Sequence, residues 1–132
     1  MSDLFHEDVP WEFVDHVFGV MAITTRHALN ALMNVGMRRY LDPQPRLLKW
    51  RAHVDYTMAG LIARLAETMP AGFTWQHFLD GALHLDHIRP LSSFRFTSTG
   101  DAQFAEAWSL DNLRLLPAAE NLRRGRSQHR QR

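Results

Sequence analysis

The chain contains no cysteine. That excludes a disulfide framework and a thiolate zinc knuckle, and it leaves oxygen and imidazole as the ligands for any metal ion. Lysine is nearly absent too: Lys49 stands alone among fifteen basic residues. Arginine suits bidentate phosphate contacts, but high-GC coding produces the same bias, so this imbalance is a weak pointer. No apolar run approaches the length of a membrane span. The opening "MSDLFHEDVPWEF" carries acidic residues where a signal peptide needs basic ones, so a cytoplasmic protein without a membrane partner is expected. There is no internal repeat and no low-complexity stretch.

What is present suits a single domain. The 132 residues are 45% apolar, enough to bury a core without covalent staples. Charge is unevenly spread: residues 1–111 hold nine basic and thirteen acidic groups, whereas residues 112–132 hold six arginines against Glu120 alone. A basic end on a nearly neutral chain suggests either a polyanionic partner or a solvated tail.

Helix boundary signals organise the first half. Pro10 lies near the start and Arg38–Arg39 near the end of a run whose apolar residues keep helical spacing, read as two helices or as one broken between Gly19 and Thr25. "DPQP" at 42–45 is a turn. A further helix is expected from about Leu47 to Glu67, stopped by Pro70 and Gly72. Thr74 caps a short helix, "WQHFLD", which Gly81 ends. The texture then changes. "ALHLDHI" reads as a strand, "RPLSSFRFTSTG" as a polar loop, "DAQFAEAWS" as one or two helical turns and "LRLL" at 113–116 as a second strand. Pro117 starts a final helix, "AAENLRRG", with proline at its tolerated first position. The pattern is α+β: a mainly helical N-terminal half, then strand, loop, strand and helix.

Three segments carry the chemistry: "LDHIRPLSSF", "SLDNLRLL" and "AENLRRG". An Asp-His dipeptide alone is usually structural, Asn112 alone suits a turn, and Asn121 alone an exposed helix position. Together, DH-x-x-P, then N-L-x-x-L, then E-N nine residues after Asn112 and followed by R-G, the set resembles the HNH endonuclease family over residues 82–127. It is most similar to cysteine-free phage-type HNH proteins and to the HNH domain of RNA-guided CRISPR nucleases. The lead-in "FTWQHFLDGALHLDHI" extends the likeness back to about Leu61.

The resemblance implies a ββα-metal core with a short two-stranded antiparallel hairpin and a C-terminal helix. It divides the chain into a helical extension (1–70), a nuclease core (71–127) and a basic tail (128–132). It also implies roles. His87 is the general base that deprotonates the attacking water, a task for an imidazole titrating near working pH. Asp86 and Asn121 hold one Mg²⁺ or Mn²⁺ through hard oxygens. Asn112 holds the loop that fixes His87. Neighbours on a flat strand point to opposite faces, so a distorted strand end before Pro90 is expected if Asp86 and His87 are to aim at one spot.

Other residues stay open. His84, on the face of Asp86, is a third ligand, a phosphate contact or a half-buried strand histidine. His77 and His53 fit surface or packing positions. Arg89, Arg114, Arg123, Arg124 and Arg126 are candidates for phosphate contacts. Arg124 stands where the family more often has lysine, and Asn121 stands where the colicin-like branch has histidine, which favours magnesium over zinc or nickel. Phe94, Trp108, Leu110, Leu113, Leu115 and Leu122 are expected to form the small core, with base stacking the other reading of Trp108.

The expected activity is metal-dependent hydrolysis of DNA, by nicking or double-strand cleavage, giving 5′-phosphate and 3′-hydroxyl ends in a bacterial or phage-infected cytoplasm. The alternatives are a non-catalytic DNA-binding or phage packaging accessory protein on the same scaffold, and an RNase-type toxin. The apolar helices around residues 13–37 serve either a homodimer or the core.

Overall fold

The structure, a computed structural model, describes residues 20–39, 41 and 49–130. The helix start near Pro10 and the turn at 42–45 lie outside the described residues. So does Gly19, at the edge of the expected break.

Helix α1 (Val20–Arg39) runs unbroken through Thr24–Thr25, where sequence reasoning places an interruption. Threonine costs a helix only a few tenths of a kcal/mol. Here that is outweighed by a stripe at every fourth residue, Thr25, Leu29, Met33 and Met37, all buried. Leu29, Met33 and Met37 of this stripe belong to the hydrophobic core.

The helix expected from Leu47 to Glu67 is also different. From Lys49 on, where the described residues resume, it holds a single 3₁₀ turn, Trp50–His53, followed by extended backbone at Val54, and helix α2 begins only at Met58 and ends at Thr68. Two partners distant in sequence override the local propensity. Asn34 Oδ1 accepts from the Trp50 backbone N–H and Asn30 Oδ1 from its indole Nε1, both at 2.8 Å. Thr57 then caps α2, its hydroxyl accepting from Gly60 N at 3.0 Å.

Helix α3 (Trp75–Leu79) forms as expected, with Thr74 and His77 making a reciprocal cap and Gly81 ending it at φ +86°. Strands β1 (Leu83–His87) and β2 (Leu113–Pro117) pair antiparallel, from Leu83↔Pro117 to His87↔Leu113. Between them lies the short helix α4 (Ala102–Ala107), and β2 passes directly into α5 (Ala118–Arg130). Pro117 closes the strand and Ala118 N donates to Ala82 O at 2.9 Å, so no loop separates strand from helix.

The fold is thus mixed, five helices and a two-stranded antiparallel hairpin among the described residues. Helix α2 lies along β2, where Thr68 Oγ1 accepts from Leu115 N and Arg64 donates to Leu113 O. Trp50, Trp108, Phe104, Leu61, Leu65, Leu83, Leu113 and Leu115 are fully or almost fully buried. Leu122 is a correction: it is 56% exposed, because α5 turns Asn121 and Arg124 toward the strands instead. Among the described residues no helix is long and apolar enough to cross a membrane.

Candidate functional site

The period of two along β1 puts His84 and Asp86 on one face and Leu83, Leu85 and His87 on the other. Helix α5 covers the first face. Asn121 and Arg124, three residues apart and so on one side of the helix, reach it together. Asn121 Nδ2 donates to His84 Nδ1 at 3.0 Å, and Arg124 Nη1 donates to Asp86 Oδ2 at 2.6 Å. Arg114, opposite Asp86 in the strand register, donates through Nε to the same oxygen at 2.9 Å. The Asp86 side chain is only 11% exposed, those of the two arginines 29% and 30%. One half-hidden carboxylate oxygen therefore carries two guanidinium groups.

His87 sits on the opposite face. Its ring meets Trp108 edge to face, with centroids 4.4 Å apart and planes at 89°. The expected distortion before Pro90 is not present as far as His87: strand pairing continues through His87↔Leu113, and Ile88 N still donates to Asn112 O at 2.8 Å. Asp86 and His87 consequently point apart. Burial lowers the His87 pKa from 6.5 to about 4, against a smaller opposing pull from the Asp86 charge. The ring is neutral at neutral pH, and its buried Nε2 has no hydrogen-bond partner among the described residues. Trp108 Nε1 beside it is likewise buried and unpartnered. Each such atom costs about 1–3 kcal/mol, so this corner holds unused polar capacity.

His84 from one face and His87 from the other reach one opening, which Asp86 does not line. A cleft of about 750 Å³ is bounded by α1 and β1, and its polar lining includes His84, His87 and Asn121. Leu32 and Val35 of α1, 46% and 55% exposed, form its apolar wall.

Asn112 spans the base of the loop after β1. Its Oδ1 accepts from Arg89 N at 2.8 Å, while Nδ2 donates to Arg89 O at 3.1 Å and to Ala107 O at 2.9 Å. One side chain thus ties the residue following Ile88 to the end of α4. Arg89 itself is engaged within the loop. Its guanidinium reaches Ser93 Oγ, Ser93 O and Glu106, and lies 4.1 Å above the Phe94 ring. Arg123 is exposed on α5, and the Arg126 side chain lies outside the described residues.

Among the described residues no three His, Cys, Asp or Glu side chains gather as a metal cluster. A divalent ion would draw on a mixed set: the Asp86 carboxylate, the Asn121 amide oxygen and the His84 imidazole. Two hard oxygens and one imidazole suit Mg²⁺ or Mn²⁺, and the two cross-links from α5 bring all three to one strand face. The donor set fits. What sequence reasoning missed is the pairing of Asp86 with Arg114 and Arg124; the signal lay in the register, which sets Arg114 directly across from Asp86.

Comparison with protein-family models, with curated proteins and with solved structures finds no match to this chain.

Proposed function

We propose that the protein is a metal-dependent HNH-type endonuclease that hydrolyses DNA phosphodiester bonds at the cleft beside β1, with β1, β2 and α5 as its ββα-metal unit. The observation that carries this reading is the convergence of His84, His87 and Asn121 on one cleft, with Asp86 between the two histidines on the same strand.

Asp86, Asn121 and His84 would hold Mg²⁺ or Mn²⁺, which when bound supplies charge neutralisation for the phosphate and the leaving oxygen. His87 accepts the proton of the attacking water. It is neutral, and its Nε2 is not engaged elsewhere. A pKa near 4 makes it a weak acceptor, so water and substrate entering the cleft must relieve part of the burial that depresses it. Trp108 fixes the ring from the core side and Asn112 fixes the loop that follows. Water adds at phosphorus, the bond to the 3′ oxygen breaks, that oxygen takes a proton from solvent, and 5′-phosphate and 3′-hydroxyl ends result.

A second reading, DNA binding without cleavage on the same scaffold, is favoured by the two guanidinium groups already on Asp86. Incubation of supercoiled plasmid with the protein and Mg²⁺, Mn²⁺, Zn²⁺ or EDTA separates the two. Nicked or linear product with Mg²⁺ or Mn²⁺, abolished by EDTA, is expected. Retarded but intact plasmid under every condition sinks the nuclease reading in favour of the binder.

A further inference from the structure

The Asp86 cluster has an unusual charge balance. A single carboxylate oxygen accepts from Arg114 Nε at 2.9 Å and Arg124 Nη1 at 2.6 Å, which leaves the group with one positive charge in excess. A cation approaching Asp86 meets two guanidinium groups at hydrogen-bond distance from its own ligand, and that repulsion is only partly screened at a site 11% exposed. An anion meets the opposite: two forked donors, each about a third exposed, whose present acceptor is a planar oxyanion resembling a phosphate edge.

We infer that Arg114 and Arg124 are shared between Asp86 and the phosphodiester, with Asp86 occupying the phosphate's place until substrate arrives. The hand-over has two consequences. Asp86 competes with the phosphate for the arginines, so the carboxylate weakens nucleic-acid binding in the absence of metal. Once the arginines turn to the phosphate, Asp86 is left half-buried without a counter-charge and open to a divalent ion, so ion and phosphodiester each strengthen the binding of the other. The second consequence rests on the metal site proposed above; the first does not.

Two measurements test it, with thermal melting of each variant as the check on folding. In EDTA, Asp86→Asn should bind a DNA duplex more tightly than wild type, by about tenfold, with a slope of log K against log salt steeper by about 1 to 2 as the released arginines take phosphates. Separately, Mn²⁺ binding is read from the electron paramagnetic resonance of the free ion, with and without dimethyl phosphate. Wild type should bind Mn²⁺ several-fold more tightly when dimethyl phosphate is present. Arg124→Gln should bind Mn²⁺ more tightly without it and gain less from its addition. Duplex affinity unchanged or weakened in folded Asp86→Asn overturns the sharing of the arginines. If that variant does not fold, Mn²⁺ affinity unaffected by both Arg124→Gln and dimethyl phosphate overturns it instead. Failure of Mn²⁺ to bind in every arm, with Asp86→Asn still tightening the duplex, overturns the metal site and upholds the competition between Asp86 and phosphate.

Discussion

Gly36 of α1 lies against the Trp108 indole so closely that a Cβ at that position would come within 2.8 Å of the ring. The same indole meets the His87 ring edge to face. Trp108 thus joins Gly36 of the N-terminal helix to His87 at the end of β1.

Gly36→Ala tests that contact. In an exposed helix the change is worth about 1 kcal/mol in favour of alanine. Here the new Cβ meets the rigid ring of Trp108, which is 2% exposed, so overpacking of about 1–3 kcal/mol outweighs the helical gain. A lower melting temperature, with a shift in tryptophan fluorescence, is expected; a higher one means that α1 does not press on Trp108.

His87 gives a pH dependence with a definite sign. Its folded pKa of about 4 lies below the unfolded value of 6.5, so the unfolded chain binds more protons between those limits. The stability it contributes is complete above pH 6.5 and is lost as pH falls toward 4, by up to ~3 kcal/mol. Urea unfolding across that range should show the loss in wild type and a flatter profile in His87→Phe. Parallel profiles for the two proteins place the titration elsewhere.

Base and ligand roles separate kinetically under the proposed function. His87→Ala should lose at least about a hundredfold in cleavage rate while keeping metal and DNA affinity. Asp86→Ala should lose metal binding itself. Wild-type cleavage by His87→Ala removes the base assignment.

Asn112→Ala deletes three hydrogen bonds to main-chain groups. A loss of about 2 kcal/mol is expected, together with lower activity and unchanged metal affinity. Metal affinity destroyed in a folded Asn112→Ala protein would make this residue a direct ligand.

The C-terminal arginines are tested by deleting residues 126–132, which removes Arg126, Arg130 and Arg132. If they follow the phosphate backbone, the slope of log K against log salt falls by about 1 to 3, similarly for all sequences. An unchanged slope assigns DNA binding to Arg114, Arg123 and Arg124.

The elements legible in sequence were those whose causes are local. Alternation marks β1, Thr74 and Gly81 bound α3, and Pro117 announces α5. Where the sequence misled, the cause was distant. Trp50 leaves the helical path because Asn30 and Asn34, a helix away, hold its two nitrogens. Leu122 looks like core in an apolar pattern, yet the polar pair Asn121 and Arg124 sets the orientation of α5. The candidate site was legible as a set of residue types and illegible as an arrangement: nothing local places Asp86 behind two arginines 28 and 38 residues away, or hides His87 against Trp108.

Asn112 also makes the excursion between the strands a closed unit. The chain leaves the hairpin after Ile88 and re-enters it at Leu113, and both ends are pinned by the same side chain, while the tip at Ser98–Gly100 is a turn held on Asp101 and anchored below by Phe94 and Phe104. Closure entropy grows only slowly with loop length, so extra residues spliced in after Thr99 should cost on the order of 1 kcal/mol without displacing β1 or α5. That tip is therefore where a reporter or a second binding module can be grafted, because the strands neither carry its weight nor sense its length.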